Sequence, residues 1–167
     1  MIRQVSSLMT MAAALAVAAA PPPEPLGKFG LGFIAGNPSG ISASLATSGT
    51  SSINLIAGYN MNRYDNRYPR NGDCCKVGGI MYTSLDYVWY NYNILRVPGI
   101  NFPVYYGPGV NWVISHYHSF GVRGVMGLQY QFAHSPFDVF FELCPGYNFN
   151  PHPMWGLDGG VGSRFYF

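Results

Sequence analysis

The chain has 167 residues, of which 10% are charged, 49% hydrophobic and 16% aromatic, with 21 Gly and a net charge of +2. Such a small net charge, with no Lys/Arg cluster, zinc-finger spacing or phosphate-cradling Gly loop, does not support a nucleic-acid partner. The chain is too apolar for disorder and too rich in strand formers and turn residues for a helix bundle.

Residues 1–20 read as a cleaved secretory signal. Arg3 gives a positive start, Leu8 to Ala20 is a small apolar run, and Ala16-Val17-Ala18 offers a small-x-small cleavage site. The run is shorter than the roughly 20 residues that span a bilayer, and no Cys lies nearby to suggest a lipoprotein. Pro21-Pro22-Pro23-Glu24-Pro25 opens a stiff leader over residues 21–27, leaving 28–167 as one domain. Nothing in that domain is long and apolar enough for a transmembrane helix, so a membrane reading demands a closed barrel.

Strand patterns then follow one another. Lys28 to Gly36 sets Phe29, Leu31, Phe33 and Ala35 against Gly30, Gly32 and Ile34, and Asn37 to Gly40 turns the chain. Ile41 to Thr47 points Ile41, Ala43 and Leu45 outward and Ser42, Ser44 and Ala46 inward. Ser48 to Ser51 turns again, and Ile53 to Tyr59 sends Asn54, Ile56 and Gly58 inward. Asn60 to Gly79, with Arg63, Asp65, Arg67, Arg70, Asp73 and Lys76, reads as a long solvated loop. Ile80 to Tyr90 places Met81, Thr83, Leu85, Tyr87 and Trp89 outside and Tyr82, Ser84, Asp86, Val88 and Tyr90 inside. Asn91 to Asn101 is a connection, and Phe102 to Trp112 is a strand that Pro103 and Pro108 should bulge or make irregular.

Ile114 to Phe120 is expected to be a hairpin connection with His116 and His118 near its tip. Gly121 to Phe132 puts Val122, Met126, Leu128, Tyr130 and Phe132 outside against Arg123, Val125, Gly127, Gln129 and Gln131. Phe137 to Tyr147 alternates Phe137, Val139, Phe141, Leu143 and Tyr147 with Asp138, Phe140, Glu142, Cys144 and Gly146. Asn148 to Trp155 is a loop. Leu157 to Phe167 closes the chain with Leu157, Val161, Phe165 and Phe167 on one face and Asp158, Arg164 and Tyr166 on the other.

Charges on the inner faces and grease on the outer ones predict an all-β fold, an eight-stranded antiparallel up-and-down transmembrane β-barrel. With both ends on the periplasmic side, the 60–79 loop, the His116/His118 tip and the 148–155 loop face the exterior.

Several stretches carry a resemblance. Gly30-Leu31-Gly32-Phe33 with Asn37 to Ala43, Pro103 to Gly109, Gly121-Val122-Arg123, Phe140 to Pro145, and Leu157 to Gly162 with Arg164, Tyr166 and Phe167 resemble a little-characterised family of small bacterial outer-membrane β-barrel proteins. The resemblance implies an architecture similar to the transmembrane domain of outer-membrane protein A, and no established enzyme activity. Cys74-Cys75 and their loop look like additions to that pattern.

Asp86, Arg123, Glu142, Asp158 and Arg164 all face the predicted lumen. Unpaired charges are costly in so narrow a space, so Arg123 is expected to meet Glu142, and Arg164 to meet Asp158 or Asp86. Such a network plugs the barrel, which favours a structural or surface-contact role without catalysis. The alternatives are a narrow pore, or a lipid-modifying enzyme using His116, His118 and Ser119, with Ser115 beside them and an acid reaching over from Asp65 or Asp73. A soluble ligand-binding barrel would need the opposite polarity, apolar within and polar without.

Cys74 and Cys75 are poor partners for each other, and a bond from either to Cys144 would require the long loop to enter the barrel mouth. A disulfide or free thiols are favoured over a metal site, and no cofactor is implied. The expected surroundings are outer-membrane lipid, with an extracellular partner reached through residues 60–79 and a monomeric state.

Overall fold

The computed structural model describes residues 27–60, 80–97, 100–114, 118–132, 135–149 and 153–167. Among these residues ten strands form in chain order: β1 Phe29–Asn37, β2 Ser39–Ser48, β3 Ser51–Asn60, β4 Ile80–Asn91, β5 Arg96–Val97, β6 Ile100–Asn101, β7 Val104–Ile114, β8 Ser119–Gln131, β9 Phe137–Asn148 and β10 Met154–Tyr166. Eight of them close into an antiparallel barrel in the order β1-β10-β9-β8-β7-β4-β3-β2, while β5 and β6 make a separate two-stranded ribbon within the link between β4 and β7. Each barrel strand therefore pairs with its neighbours in sequence, and β1 meets β10 to close the ring. Among the described residues there is no helix.

The period-two alternation drives this arrangement. A strand's side chains point to opposite faces, so a chain of alternating strands can bury one face only by curling around it. The faces fall as the sequence pattern predicts. Along β8, residues from Ser119 to Gln129 alternate buried and exposed. Along β1, Phe29, Leu31 and Phe33 are exposed and Gly30 and Ile34 buried.

Following opposite partners from Gly30 through Ser44, Asn54, Asp86, Gly109, Arg123 and Gly146 leads to Gly156, whereas β10 meets the last residue of β1 through Gly159 and Asn37. Seven residues separate Gly30 from Asn37 and three separate Gly156 from Gly159, so the sheet closes with a stagger of ten residues. A stagger of that size tilts the strands about 40° from the axis and leaves an interior just wide enough for side chains.

The strands are longer than the sequence pattern delimits. Asn148, Met154 and Trp155, assigned to a loop, are strand residues, as are Ile114, Ser119 and Phe120. Only Gly49 and Thr50 separate β2 from β3, with a register shift between Ala46 and Ser48. The long loop at 61–79 lies outside the described residues, as do residues 1–26.

Of the two expectations for the proline-bearing strand, a bulge is absent at Pro108 and a local irregularity is present. The β4 to β7 register is the same on either side, and only the pairs at Tyr87 and Val88 are missing. The absent N–H of Pro108 falls on that seam, while its partnership with Gly124 of β8 is intact. Pro145 repeats the arrangement, pairing with Leu157 while the β8 side loses the pairs at Gly124 and Val125. Each proline thus opens one seam locally without changing which residues face inward.

At the β1–β2 corner, Gly36 has φ +152°, and an added Cβ would stand 2.3 Å from the Gly159 carbonyl oxygen. Both the backbone conformation and the close approach of β10 call for glycine. Gly36→Ala is expected to cost about 1–3 kcal/mol of stability, measured as a lower urea midpoint for unfolding of the purified protein; an unchanged midpoint contradicts the assigned corner geometry.

Candidate functional site

The chain enters and leaves at one end of the barrel, the proximal end, while the links after β1, β3, β7 and β9 lie at the distal end. Two polar networks occupy the lumen between them.

The first is centred on Arg123 of β8. Its Nε and Nη2 donate to the two carboxylate oxygens of Asp86 on β4 at 2.7 and 2.6 Å, and Nη1 donates to the Tyr82 hydroxyl at 2.9 Å. Glu142 of β9 stands farther off, 3.9 Å from Nη2, and accepts a hydrogen bond of 3.1 Å from the Tyr105 hydroxyl. Arg123, Asp86 and Glu142 are all buried. A planar guanidinium fork gripping one carboxylate in this way holds its geometry well.

Glycine makes these contacts possible. Asp86 and Arg123 are two strands apart, with Gly109 of β7 directly between them in register. A Cβ on Gly109 would lie 1.8 Å from Asp86 Oδ1, so the carboxylate reaches its partner only across a bare backbone. Gly127 plays the same part between Tyr105 and Glu142, where a Cβ would lie 2.3 Å from Tyr105 Cζ. Gly121 does so beneath the Asn111 to Asn148 hydrogen bond of 2.8 Å.

The second network lies near the proximal end around Asp138 of β9. It accepts from the Tyr166 hydroxyl at 2.6 Å, Gln129 Nε2 at 2.5 Å and the Arg164 backbone N–H at 3.1 Å. Arg164 itself is 0% exposed. Its Nε donates to Ser42 Oγ at 3.0 Å, and its guanidinium lies over the Phe140 ring at 3.9 Å. Phe140 and Tyr105 belong to a buried apolar cluster with Ile34, Ile56, Val88, Val125 and Cys144, so grease and charge share the interior.

Of the five charges assigned to the lumen, the structure brings Asp86, Arg123 and Glu142 together. Arg123 takes Asp86 as its forked partner where Glu142 was expected, because Gly109 clears the path to Asp86. Arg164 does not reach Asp158 or Asp86 for an ion pair. Ser42 and the Phe140 ring hold its side chain, whereas Asp158 accepts from Asn37 Nδ2 at 3.1 Å near the distal end. Sequence reasoning placed Asp138 inward yet left it out of the charge network. Its even spacing from Glu142 on one strand face was the available signal.

Cys144 is a buried free thiol, 3.9 Å from Glu142 Oε1. Cys74 and Cys75 lie outside the described residues, as do Ser115 and His116. Ser119 is buried at the start of β8, while the adjoining His118 is exposed.

A polar cavity of about 120 Å³ at the distal mouth is lined by Asn37, Asn60, Asn111, Asn148, Arg123 and Asp158, among others. At the proximal mouth a smaller one of about 50 Å³ is lined by Ser44, Ser52, Tyr90, Tyr92, Gln129 and Tyr166, among others. Burial pushes the Tyr92 hydroxyl up to about 12, so it stays neutral. Between the mouths the interior is filled by buried Arg164, Tyr82, Tyr105, Phe140, Ile56 and Val88.

Fold and lumen together define a closed eight-stranded antiparallel barrel that buries charged side chains beside its apolar cluster and, among the described residues, turns most of its large apolar side chains outward. Comparison with protein-family models, with curated proteins and with solved structures gives no match.

Arg123→Met leaves Asp86 buried without its counter-ion and is expected to cost about 3–5 kcal/mol, whereas Arg123→Met combined with Asp86→Leu should recover most of that loss. Equilibrium unfolding of the two single variants and the double variant reads the coupling. Additive losses would show that the pair is not linked as described. Gly109→Ala, which drives a methyl into the Asp86 carboxylate, should destabilise through the same contact.

Proposed function

We propose that the protein is an integral outer-membrane β-barrel with a plugged polar lumen, serving a structural or surface-contact role without catalysis. The observation that carries this reading is the inverted polarity. Phe33 is 72% exposed and Val161 52%, while Glu142 is 2% exposed and Arg164 0%. In water this arrangement forfeits the main driving force of folding, since apolar area would stay wet and charges would be desolvated. In a bilayer it is the expected one, because lipid solvates the outer face and the closed ladder leaves no unpaired sheet edge.

The outward aromatic rings gather toward the two ends of the barrel. Phe120, Tyr147, Phe149 and Trp155 make ring contacts near the distal end. Phe102, Tyr130, Phe132 and Phe137 do so near the proximal end, as do Phe29, Phe165 and Phe167. Trp155 and Phe165 bracket β10 ten residues apart on its outer face. At about 3.3 Å per residue and a tilt of roughly 40° they are about 25 Å apart along the axis, the height of an outer-membrane apolar band. Rings at such levels suit the headgroup interfaces.

The filled lumen favours a plug over a pore. On this reading the distal links, including residues 60–79, face the exterior and offer the surface through which an extracellular partner would be met.

Fractionation with heat-modifiable gel migration tests the assignment. The protein should sediment with outer membranes, and the unheated band should migrate apart from the boiled one. A soluble protein with identical bands would overturn it. Leu85, outward and central on β4, supplies a second test. In lipid vesicles Leu85→Arg should cost about 2–4 kcal/mol, and an unaffected unfolding curve would contradict burial of that face in lipid.

A further inference from the structure

We propose that the distal cavity is a binding site for a neutral sugar unit, taken up edge-on through hydroxyls on adjacent carbons. The proposal stands apart from the membrane reading, because the lining belongs to the lumen whatever surrounds the barrel.

Among the described residues, four asparagines from four strands converge on this cavity of about 120 Å³: Asn37 of β1, Asn60 of β3, Asn111 of β7 and Asn148 of β9. Asn is disfavoured in strands, and turn chemistry accounts for the three that end theirs. Asn111 stands inside β7, which runs on to Ile114, so no turn accounts for it. It is 4% exposed and Asn148 6%. The two meet across Gly121, where Asn111 Nδ2 donates to Asn148 Oδ1 at 2.8 Å.

That bond leaves Asn111 its carbonyl oxygen and Asn148 its amino group, and neither has a further hydrogen-bond partner among the described residues. Turning both amides over would exchange these roles and still leave one acceptor beside one donor. Asn37 Oδ1 is sealed from solvent, whereas these two atoms are not. The pair is therefore a buried donor and acceptor open to the cavity.

A donor beside an acceptor decides the ligand class. A hydroxyl donates and accepts at once, so hydroxyls on adjacent carbons match an amide pair that offers one of each. The charged groups of the lining argue against an ion. Arg123 is committed to Asp86 through Nε and Nη2, and its charge in so small a space disfavours a cation. Asp158 disfavours an anion, yet its carboxylate can accept from another hydroxyl. Met154 and Leu157, also on the lining, offer apolar contact to the carbon-bound hydrogens of a sugar ring. The volume equals that of roughly four waters, well below the ~300 Å³ at which pockets for drug-sized ligands begin. One sugar unit enters by its hydroxyl-bearing edge, and the rest of it stays in the mouth.

Nuclear magnetic resonance on the ¹⁵N-labelled full chain, folded in phosphocholine micelles that carry no sugar headgroup, tests this. The probes are D-glucose, D-galactose, D-mannose and their methyl glycosides. At least one should shift the Asn111 and Asn148 side-chain amide signals saturably, and Asn148→Ala, which also assigns the Asn148 signal by its loss, should abolish the response at Asn111. Where that variant fails to fold, Asn148→Asp takes its place, since it still accepts from Asn111 Nδ2 but lacks the amino group. A response that includes a methyl glycoside marks the end of a glycan chain as the source, and one confined to the reducing sugars marks a free monosaccharide; either supports the site. No saturable shift with any of the probes overturns the proposal, as does a response at Asn111 that survives the Asn148 variant unchanged. A saturable shift with calcium chloride or sodium phosphate in place of the sugars identifies an ion site and overturns it equally.

Discussion

An eight-stranded barrel has room inside for one layer of side chains from each wall and no more, and every strand must contribute every second residue to it. That constraint governs the rest of the molecule. Where two bulky polar groups need to meet, something between them has to be absent, and glycine supplies the absence. Gly109, Gly127 and Gly121 each form a bare floor across which side chains from the flanking strands join. The wall made by Gly30, Gly32, Ser42, Ser44 and Ser84 is low for the same reason, and Arg164 of the adjoining β10 extends across Gly32 to Ser42.

The facing of the residues was legible in the sequence because period-two alternation is local and the polarity contrast is strong. Phe29, Leu31 and Phe33 against Gly30 and Ile34 needs no knowledge of neighbours. Strand ends were less legible, since Trp155 and Phe120 sit in polar surroundings in sequence and gain their strand character from ladder partners. The pairing of charges was hidden for a related reason. Asp86 and Arg123 are separated by 37 residues, as are Tyr105 and Glu142, and Asn111 and Asn148. That shared spacing follows from register across two consecutive hairpins, which no single strand displays. An inward glycine at the register midpoint of each pair is the trace it leaves in the sequence.

The proline residues show how much irregularity such a closed sheet tolerates. Pro108 and Pro145 each remove a ladder donor from a central strand, and the register passes through both unshifted. The intact seam on the other side of each strand holds it in place. A closed ring gives every strand two such seams, whereas an open sheet leaves its outermost strands only one.

With charges held in by glycine floors and apolar side chains turned out, the barrel's surroundings become the main question of its physics. Site-directed spin labels placed singly along β8 in lipid vesicles address it most directly. Labels at Val122, Met126, Leu128 and Tyr130 should collide readily with dissolved oxygen and poorly with a water-soluble nickel complex. Labels at Gly121 and Val125 should be shielded from oxygen. High nickel accessibility at the outward positions, without the two-residue alternation, would contradict the account.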